Sequence, residues 1–457
     1  FFFKVMINFR ILQLVFAWAL TRFDTSYGFT LTSKHICSKT TLFSTSTPSS
    51  VNGSWDTLKD KHFLVVGGSG RVGGSVVTQL LSHGARVTVG GTRRESLETS
   101  RARWIRDFPE LPISSVSWVQ LNREDASTVA PQVYDLVIHT AGPFQGKVKA
   151  TNGILDACIR HKTPYVDVCD DYCTAMAAKS KYGSTAKDQG VPCVISTGCW
   201  PGVSSLMAKQ LVSALLRRHP SLSPKDLKVD FSFFTAGSGG AGSTLLVATF
   251  LILAEEALVI LNGRRKPVKA MKHYTTVNFG PIIGDKLVAH LNLLETASVH
   301  DILGVGSSKA LFGTAPDFWN VLLGLMAQLP SSILANEDLM TKLALFSLPI
   351  VRVVDYFAGA TNAMRCDVSS EQNPNLRVSA IYGHQNLEPC VGECVVSFCV
   401  AILDGMVPSG VWFPEEAIAD GTSAASVLRM ASVGAHTVQV DGSIDIPCDE
   451  IWGRESR

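Results

Sequence analysis

The chain is short of charge. Asp, Glu, Lys and Arg make up 18% of its 457 residues, and 41 basic against 39 acidic side chains leave a formal net charge of +2. That balance gives no footprint for nucleic acid. The basic residues are scattered except for short groups such as Arg264-Arg265-Lys266, which reads as a solvated turn. Cys-x-x-Cys motifs and clustered histidines are missing. The eleven cysteines are odd in number and dispersed, and the pairs Cys169/Cys173 and Cys390/Cys394 stand four apart. This argues against a disulfide framework and against zinc, so no metal is expected and the thiols read as buried and free. Long apolar runs are also lacking. Ile11 to Leu20 is too short to span a bilayer, and the apolar helical stretch that runs to Leu261 is interrupted by Glu255 and Glu256. No transmembrane helix is expected in the mature chain.

Acidic residues are absent from positions 25 to 55, which are rich in Ser and Thr and carry Lys34 and Lys39. Ahead of them, Met6 reads as a translation start, followed by Arg10 and the apolar Ile11 to Leu20. Residues 1–28 are thus signal-peptide-like and 29–58 transit-peptide-like and unfolded. Such a pair resembles the bipartite presequence of algae with secondary plastids, with Ser26-Tyr27-Gly28-Phe29 at the cleavage site. Chloroplast or plastid delivery is expected, with the secretory pathway as the alternative.

The mature chain opens on Phe63 to Gly73, FLVVGGSGRVG. Four apolar residues run into Gly68, Gly70 and Gly73 at the spacing G-x-G-x-x-G, and an apolar helical stretch follows to about Ser82. A buried strand, a tight glycine turn and a helix start are the parts that hold a dinucleotide pyrophosphate. Gly68 is assigned the tight turn, Gly70 the close approach of backbone to phosphate, and Gly73 the helix–strand packing. Ser69, Arg71 and Val72 complete the turn. The unpaired N–H groups of the first helical turn point at the anion. A strand at Ala85 to Val89 closes a β-α-β unit of about thirty residues.

An acidic residue at the end of the second strand would hydrogen-bond the ribose of NAD. Here the strand ends in Gly90, Gly91, Thr92, Arg93 and Arg94. Small residues leave room for a 2′-phosphate, and guanidinium groups pair with phosphate bidentately. NADP, or NADPH, is therefore the expected cofactor. A solvated helix start is the plainer account of the two arginines.

Strands are expected at Phe63–Val66, Arg86–Val89, Val116–Gln120, Leu136–His139, Tyr165–Val168 and Cys193–Ser196, with helices between them. The fold class is α/β: a doubly wound parallel Rossmann sheet at 59–227, a second α+β substrate domain at 228–385, and a C-terminal segment at 386–457 whose final helices are open to a return to the first domain. The fourth strand ends in Thr140-Ala141-Gly142-Pro143-Phe144, at the carboxyl edge where ligands bind. Ala141, Gly142 and Pro143 would lie against the ribose or nicotinamide, and Phe144 would cover the ring. Tyr165, Asp167, Asp170 and Asp171 follow the fifth strand. Asp167 and Asp171 are the candidate catalytic residues, to orient or deprotonate an amine; one of the acids could instead cap the next helix. A second glycine run, Gly237 to Gly242, is expected to shape the substrate cleft.

The motifs GGSGRVGG, DLVIHTAGPFQG, ILDACIRHKTPYVDVCDD, AKDQGVPCVISTGCWPG and GVWFPEEA together resemble the saccharopine-dehydrogenase-like oxidoreductases, over nearly all of residues 60 to 420. The resemblance implies an NADP-binding Rossmann domain, a mixed α/β partner domain, and hydride transfer at a carbon–nitrogen centre of a small-molecule substrate. Asp171 stands where the family often has glutamate, and Cys199-Trp200-Pro201 replaces an aspartate-containing loop. The alternative is a non-catalytic NADP-binding protein at a membrane surface or in a complex, using the apolar segments at 319–357. A homo-oligomer is compatible with either reading. Residues 6 to 55 fused to a fluorescent protein are expected to deliver it to the plastid; secretion of the fusion would refute that expectation.

Overall fold

The computed structural model describes residues 54–236 and 243–456. The leader-like segment up to residue 53 and the glycine run 237–242 lie outside the described residues. Within them, folded structure begins earlier than the transit-like composition implies. Trp55–Leu58 forms a short 3-10 turn capped by the Ser54 side chain. Leu58 is fully buried, and Trp55 stacks on His83 with ring centroids 4.5 Å apart. The boundary at residue 58 is therefore corrected to about 54: an apolar side chain that joins the core belongs to the fold whatever the composition around it.

The first sheet is parallel. It contains β1 (His62–Val66), β2 (Arg86–Gly91), β3 (Ser117–Gln120), β4 (Leu136–His139), β5 (Tyr165–Asp167) and β6 (Pro192–Val194). The order β3-β2-β1-β4-β5-β6 is that of a doubly wound Rossmann fold. Strand direction of growth reverses between β1 and β4, where Val66 is in register with Gly90 on one side and His139 on the other. Phe63 to Val66 are all buried, as expected for a strand covered on both faces by helices.

The second sheet is mixed. Its strands are β7 (Leu227–Ala236), β8 (Ala257–Leu261), β9 (Arg264–Val268), β10 (Thr275–Asn278), β11 (Asp285–His290), β12 (Ser307–Ala315), β13 (Thr361–Ser370) and β14 (Arg377–His384). Two more strands, β15 (Gly410–Trp412) and β16 (Thr437–Gly442), follow near the C-terminus. β16 closes the second sheet beside β14, whereas β15 pairs with β6 and extends the first sheet. β7 is central, parallel to β12 and antiparallel to β13. Its Phe231 and Phe233 are fully buried.

Two segments depart from the sequence expectation. The apolar helix expected to reach Leu261 stops at Ile252, and Ala257–Leu261 turns back as β8. The reason is Asn262-Gly263, both at positive φ, the backbone that a two-residue hairpin between β8 and β9 requires. Helix Val203–Arg218, assigned with the first domain, packs on β13, β14 and helix Gly421–Ala431. Helix Leu387–Leu403 returns to lie along helix Arg71–Ser82. The approach is close: a Cβ on Gly392 would fall 2.4 Å from the Ser75 Oγ.

Candidate active site

Backbone hydrogen bonds shape the glycine turn. Gly67 N–H donates to the Gly90 carbonyl at 2.8 Å, Gly68 N–H to Val65 at 3.1 Å, and Gly70 N–H to Gly67 at 2.8 Å. The left-handed residue is Gly67, with φ +79°, one position ahead of the fingerprint. Assignment of the tight turn to Gly68 is thereby corrected. Gly68 is needed instead for packing, since a Cβ there would meet Val89 Cγ2 at 2.9 Å. At Gly73 a Cβ would lie 2.4 Å from the Gly67 carbonyl and 2.5 Å from Thr140 Oγ1, so this glycine sets how near the helix comes to β1 and β4. Gly70 is the N-cap and offers no side chain to the helix end. The first intrahelical bond runs from Gly74 N–H to Gly70. The amides of Arg71, Val72 and Gly73 precede it, and an anion fits there. Ser69 is fixed through its carbonyl, which accepts from Ser100 Oγ at 2.7 Å.

Thr92, Arg93 and Arg94 are exposed at the end of β2 and the start of helix Arg94–Asp107. The bond from Gly67 to Gly90 ties this end of β2 to the glycine turn. Arg94 meets Glu98 only loosely, at 3.8 Å. Among the described contacts neither guanidinium group is held by a tight internal carboxylate.

After β4, Ala141 packs on Gly67: a Cβ on Gly67 would be 2.8 Å from the Ala141 Cα. Gly142-Pro143 follows as a cis peptide. Arg123, which the sequence reading did not single out, donates through Nη1 to the carbonyls of Ala141 and, at 3.2 Å, Pro143. It fixes this turn from the loop after β3. Phe144 does not face the open side of the turn. Its ring is buried, edge-on to His139 at 5.2 Å between centroids. The expectation that Phe144 covers the nicotinamide is corrected: the apolar ring finds core rather than cleft.

Asp167 is also corrected. It is fully buried at the end of β5. One carboxyl oxygen accepts the N–H groups of Cys169 and Ser196, at 3.0 and 2.8 Å, and the other accepts the Tyr165 hydroxyl at 3.0 Å. Burial pushes its pKa up to about 6 despite these bonds. The group braces the loops after β5 and β6, and no surface of it is left to touch a substrate. Tyr165 carries the network to His139 Nδ1 at 3.1 Å, and burial lowers that imidazole to about 3, so it stays neutral.

Asp171 caps helix Tyr172–Gln189, its Oδ1 accepting from Thr174 N–H at 2.6 Å. It also lines a cleft of about 350 Å³ with Gln145, Asp170, Glu255, Arg265 and Asn292. That size suits a small ligand. The first sheet supplies the loops after β4 and β5; the second lobe supplies Glu255, Asn292 and Arg265. Asn292 Nδ2 donates to Glu255 at 2.5 Å, and Arg265 is held by both carboxyl oxygens of Asp301. Asp170 is pushed up to about 6, first by burial and then by the neighbouring charges of Asp171 and Glu255. It, rather than Asp167, is the carboxyl that the strand end presents to the cleft. Among the described residues, no three His, Cys, Asp or Glu side chains converge as metal ligands, and no helix is long and apolar enough to cross a membrane.

With this geometry in place, the comparisons are specific. Residues 63–194 match the family model of the saccharopine dehydrogenase NADP binding domain. That stretch lies in the first lobe and is similar to this family's domain. Apo saccharopine dehydrogenase (L-Glu forming) from Saccharomyces cerevisiae shares the fold at 13% identity, with a TM-score of 0.53 over 83% of this chain and 99% of that one. Pen from Bacillus thuringiensis, at 16% identity and TM-score 0.24, overlaps 30% of this chain and 51% of its own. No curated protein matches the chain in sequence. The matched stretch spans β1 to β6, and with them the glycine turn, the Gly142-Pro143 turn and the cleft-lining Asp170. The two-lobed α/β architecture is that of the yeast enzyme.

Two further carboxyls are sealed nearby. Glu295 lies on the same short helix as the cleft-lining Leu294 and Ala297, fully buried, and accepts from Ser204 Oγ at 2.8 Å. Glu415 is 2% exposed in the GVWFPEEA motif. Burial raises each from 4.5 to about 7. A raised carboxyl pKa in the folded state means stability that is complete below about pH 4.5 and lost as pH rises through about 7. Wild type is therefore expected to lose stability between pH 5 and 8, and Glu415→Gln to lose at least about 1 kcal/mol less. Urea unfolding across that range checks this; parallel curves would refute it.

Proposed function

We propose that this protein is an NADP-dependent oxidoreductase acting at a carbon–nitrogen centre, an amine or imine, of a small substrate bound in the cleft. The observation that carries the reading is the position of Asp170: a carboxyl raised to about 6 in a cleft that also takes Gln145 from the loop following the Gly142-Pro143 turn. Such a group holds or takes a proton near neutrality, which is what protonation of an imine or deprotonation of an amine requires. Asp171 and Glu255 add negative charge suited to a cationic nitrogen. The amides of Arg71 to Gly73 would hold the pyrophosphate, Arg93 and Arg94 the 2′-phosphate, and the Ala141–Pro143 backbone the ribose and nicotinamide end. The nicotinamide supplies or accepts the hydride.

The cofactor and the chemistry are tested separately. Changing Arg93 and Arg94 together to Ala is expected to weaken NADPH binding at least tenfold and leave NADH binding nearly unchanged; equal losses would overturn the NADP assignment. With a panel of imines, amines and keto acids, Asp170→Asn is expected to lower kcat about a hundredfold or more on the nitrogen substrate and to remove the pH dependence near 6. Activity confined to substrates without nitrogen would overturn the proposed centre. NADPH binding with no turnover of any panel member would favour the non-catalytic reading. The exposed Leu345, Phe346 and Val353 of helix Glu337–Ala358 would then be the surface for a membrane.

A further inference from the structure

Arg71 opens the helix whose N-terminus holds the candidate phosphate site. Its guanidinium already has an anion. Arg71 Nη1 lies 3.3 Å from Glu388 Oε1, and the Glu388 side chain is 19% exposed. Glu388 comes from 317 positions further along the chain, on the first turn of helix Leu387–Leu403. Its backbone is clamped as well, for Ser75 Oγ donates to the Glu388 carbonyl at 2.5 Å. A second guanidinium, Arg103, sits against the same helix, 3.1 Å from where a Cβ on Gly74 would be. Burial and the adjacent Arg71 charge push Arg103 below its ordinary pKa, while Glu388 opposes that shift. Two guanidinium groups and one carboxylate thus share the positive end of the dinucleotide helix, where any anion is favoured.

We propose that Glu388 is a built-in competitor for the cofactor's pyrophosphate: it holds Arg71 when no phosphate is present, and bound dinucleotide takes Arg71 from it. The inference rests on the dinucleotide reading of the glycine turn. A carboxylate fixed beside a phosphate site lowers affinity in two ways. It neutralises the guanidinium that would pair with phosphate, and it repels the phosphate itself. The pyrophosphate is common to NADPH and NADH, so Glu388 tunes the affinity for both alike. Arg93 and Arg94 act on the 2′-phosphate alone. Releasing Arg71 leaves the Ser75–Glu388 bond and the close packing at Gly392 in place, so the two helices stay together.

Titration of the full chain with NADPH and with NADH, read by intrinsic tryptophan fluorescence, decides the matter. Glu388→Gln keeps an acceptor for Arg71 but removes the charge. It is expected to tighten both dinucleotides about five- to tenfold, by the same factor, with little change in Tm. In an Arg71→Gln background the same change is expected to gain less than twofold. Weaker or unchanged binding by Glu388→Gln, or an equal gain in both backgrounds, would overturn the proposal. If Glu388→Gln does not fold, Glu388 is a brace rather than a competitor, and the proposal is likewise overturned. Failure of wild type to bind either dinucleotide would remove the cofactor reading itself, and this inference with it.

Discussion

The distance between one helix and two strands governs this molecule. Gly73 brings helix Arg71–Ser82 against the Gly67 carbonyl and Thr140, and neither neighbour leaves room for a methyl group. Gly67 must in turn take φ +79° and lie flat on Ala141. The contacts with the Gly67 carbonyl and the Ala141 backbone cannot be relaxed by a change of rotamer. From them follow the height of the helix end above the sheet, the depth of the Gly142-Pro143 turn, and the aperture between β1 and β4.

Local sequence made this first sheet legible because its information is local. Each strand of a parallel sheet is a short apolar run, each helix follows it within a few residues, and the helix start at Arg71 is marked by three glycines. The strand β15 left no comparable mark. Three residues, Gly410–Trp412, pair with β6 across more than two hundred positions, and nothing in their composition names that partner. β8 did leave a mark in Asn262-Gly263, but the apolar residues before it also satisfy a helix. Only the hairpin resolves the ambiguity.

The site was legible to a different degree. Composition brought Asp167, Asp170 and Asp171 to one strand end, and their spacing could not say which would face solvent. The strand's alternation does: Asp167 still belongs to β5 and points into protein, whereas Asp170 and Asp171 lie past its end. Glu255 and Asn292 come from a different lobe and could not be associated with these acids before the chain was folded. Arg123 is similar. Its role depends on carbonyls some twenty residues away, and an isolated arginine after a strand carries no signal of that kind.

Carboxyl groups are gathered on both sides of this cleft, and their burial has a direct physical consequence. An acid surrounded by protein and by other acids is costly to ionise, so Asp170, Glu295 and Glu415 are all held closer to neutrality than free side chains. Asp167 shares the shift but has three donors around it, and so it serves structure. Asp170 differs because the cleft reaches it. The same physical cause, desolvation, thus acts on a brace at one position and on a cleft-lining carboxyl three residues later. What separates them is the fifth strand's last residue, where protein gives way to the space between the lobes.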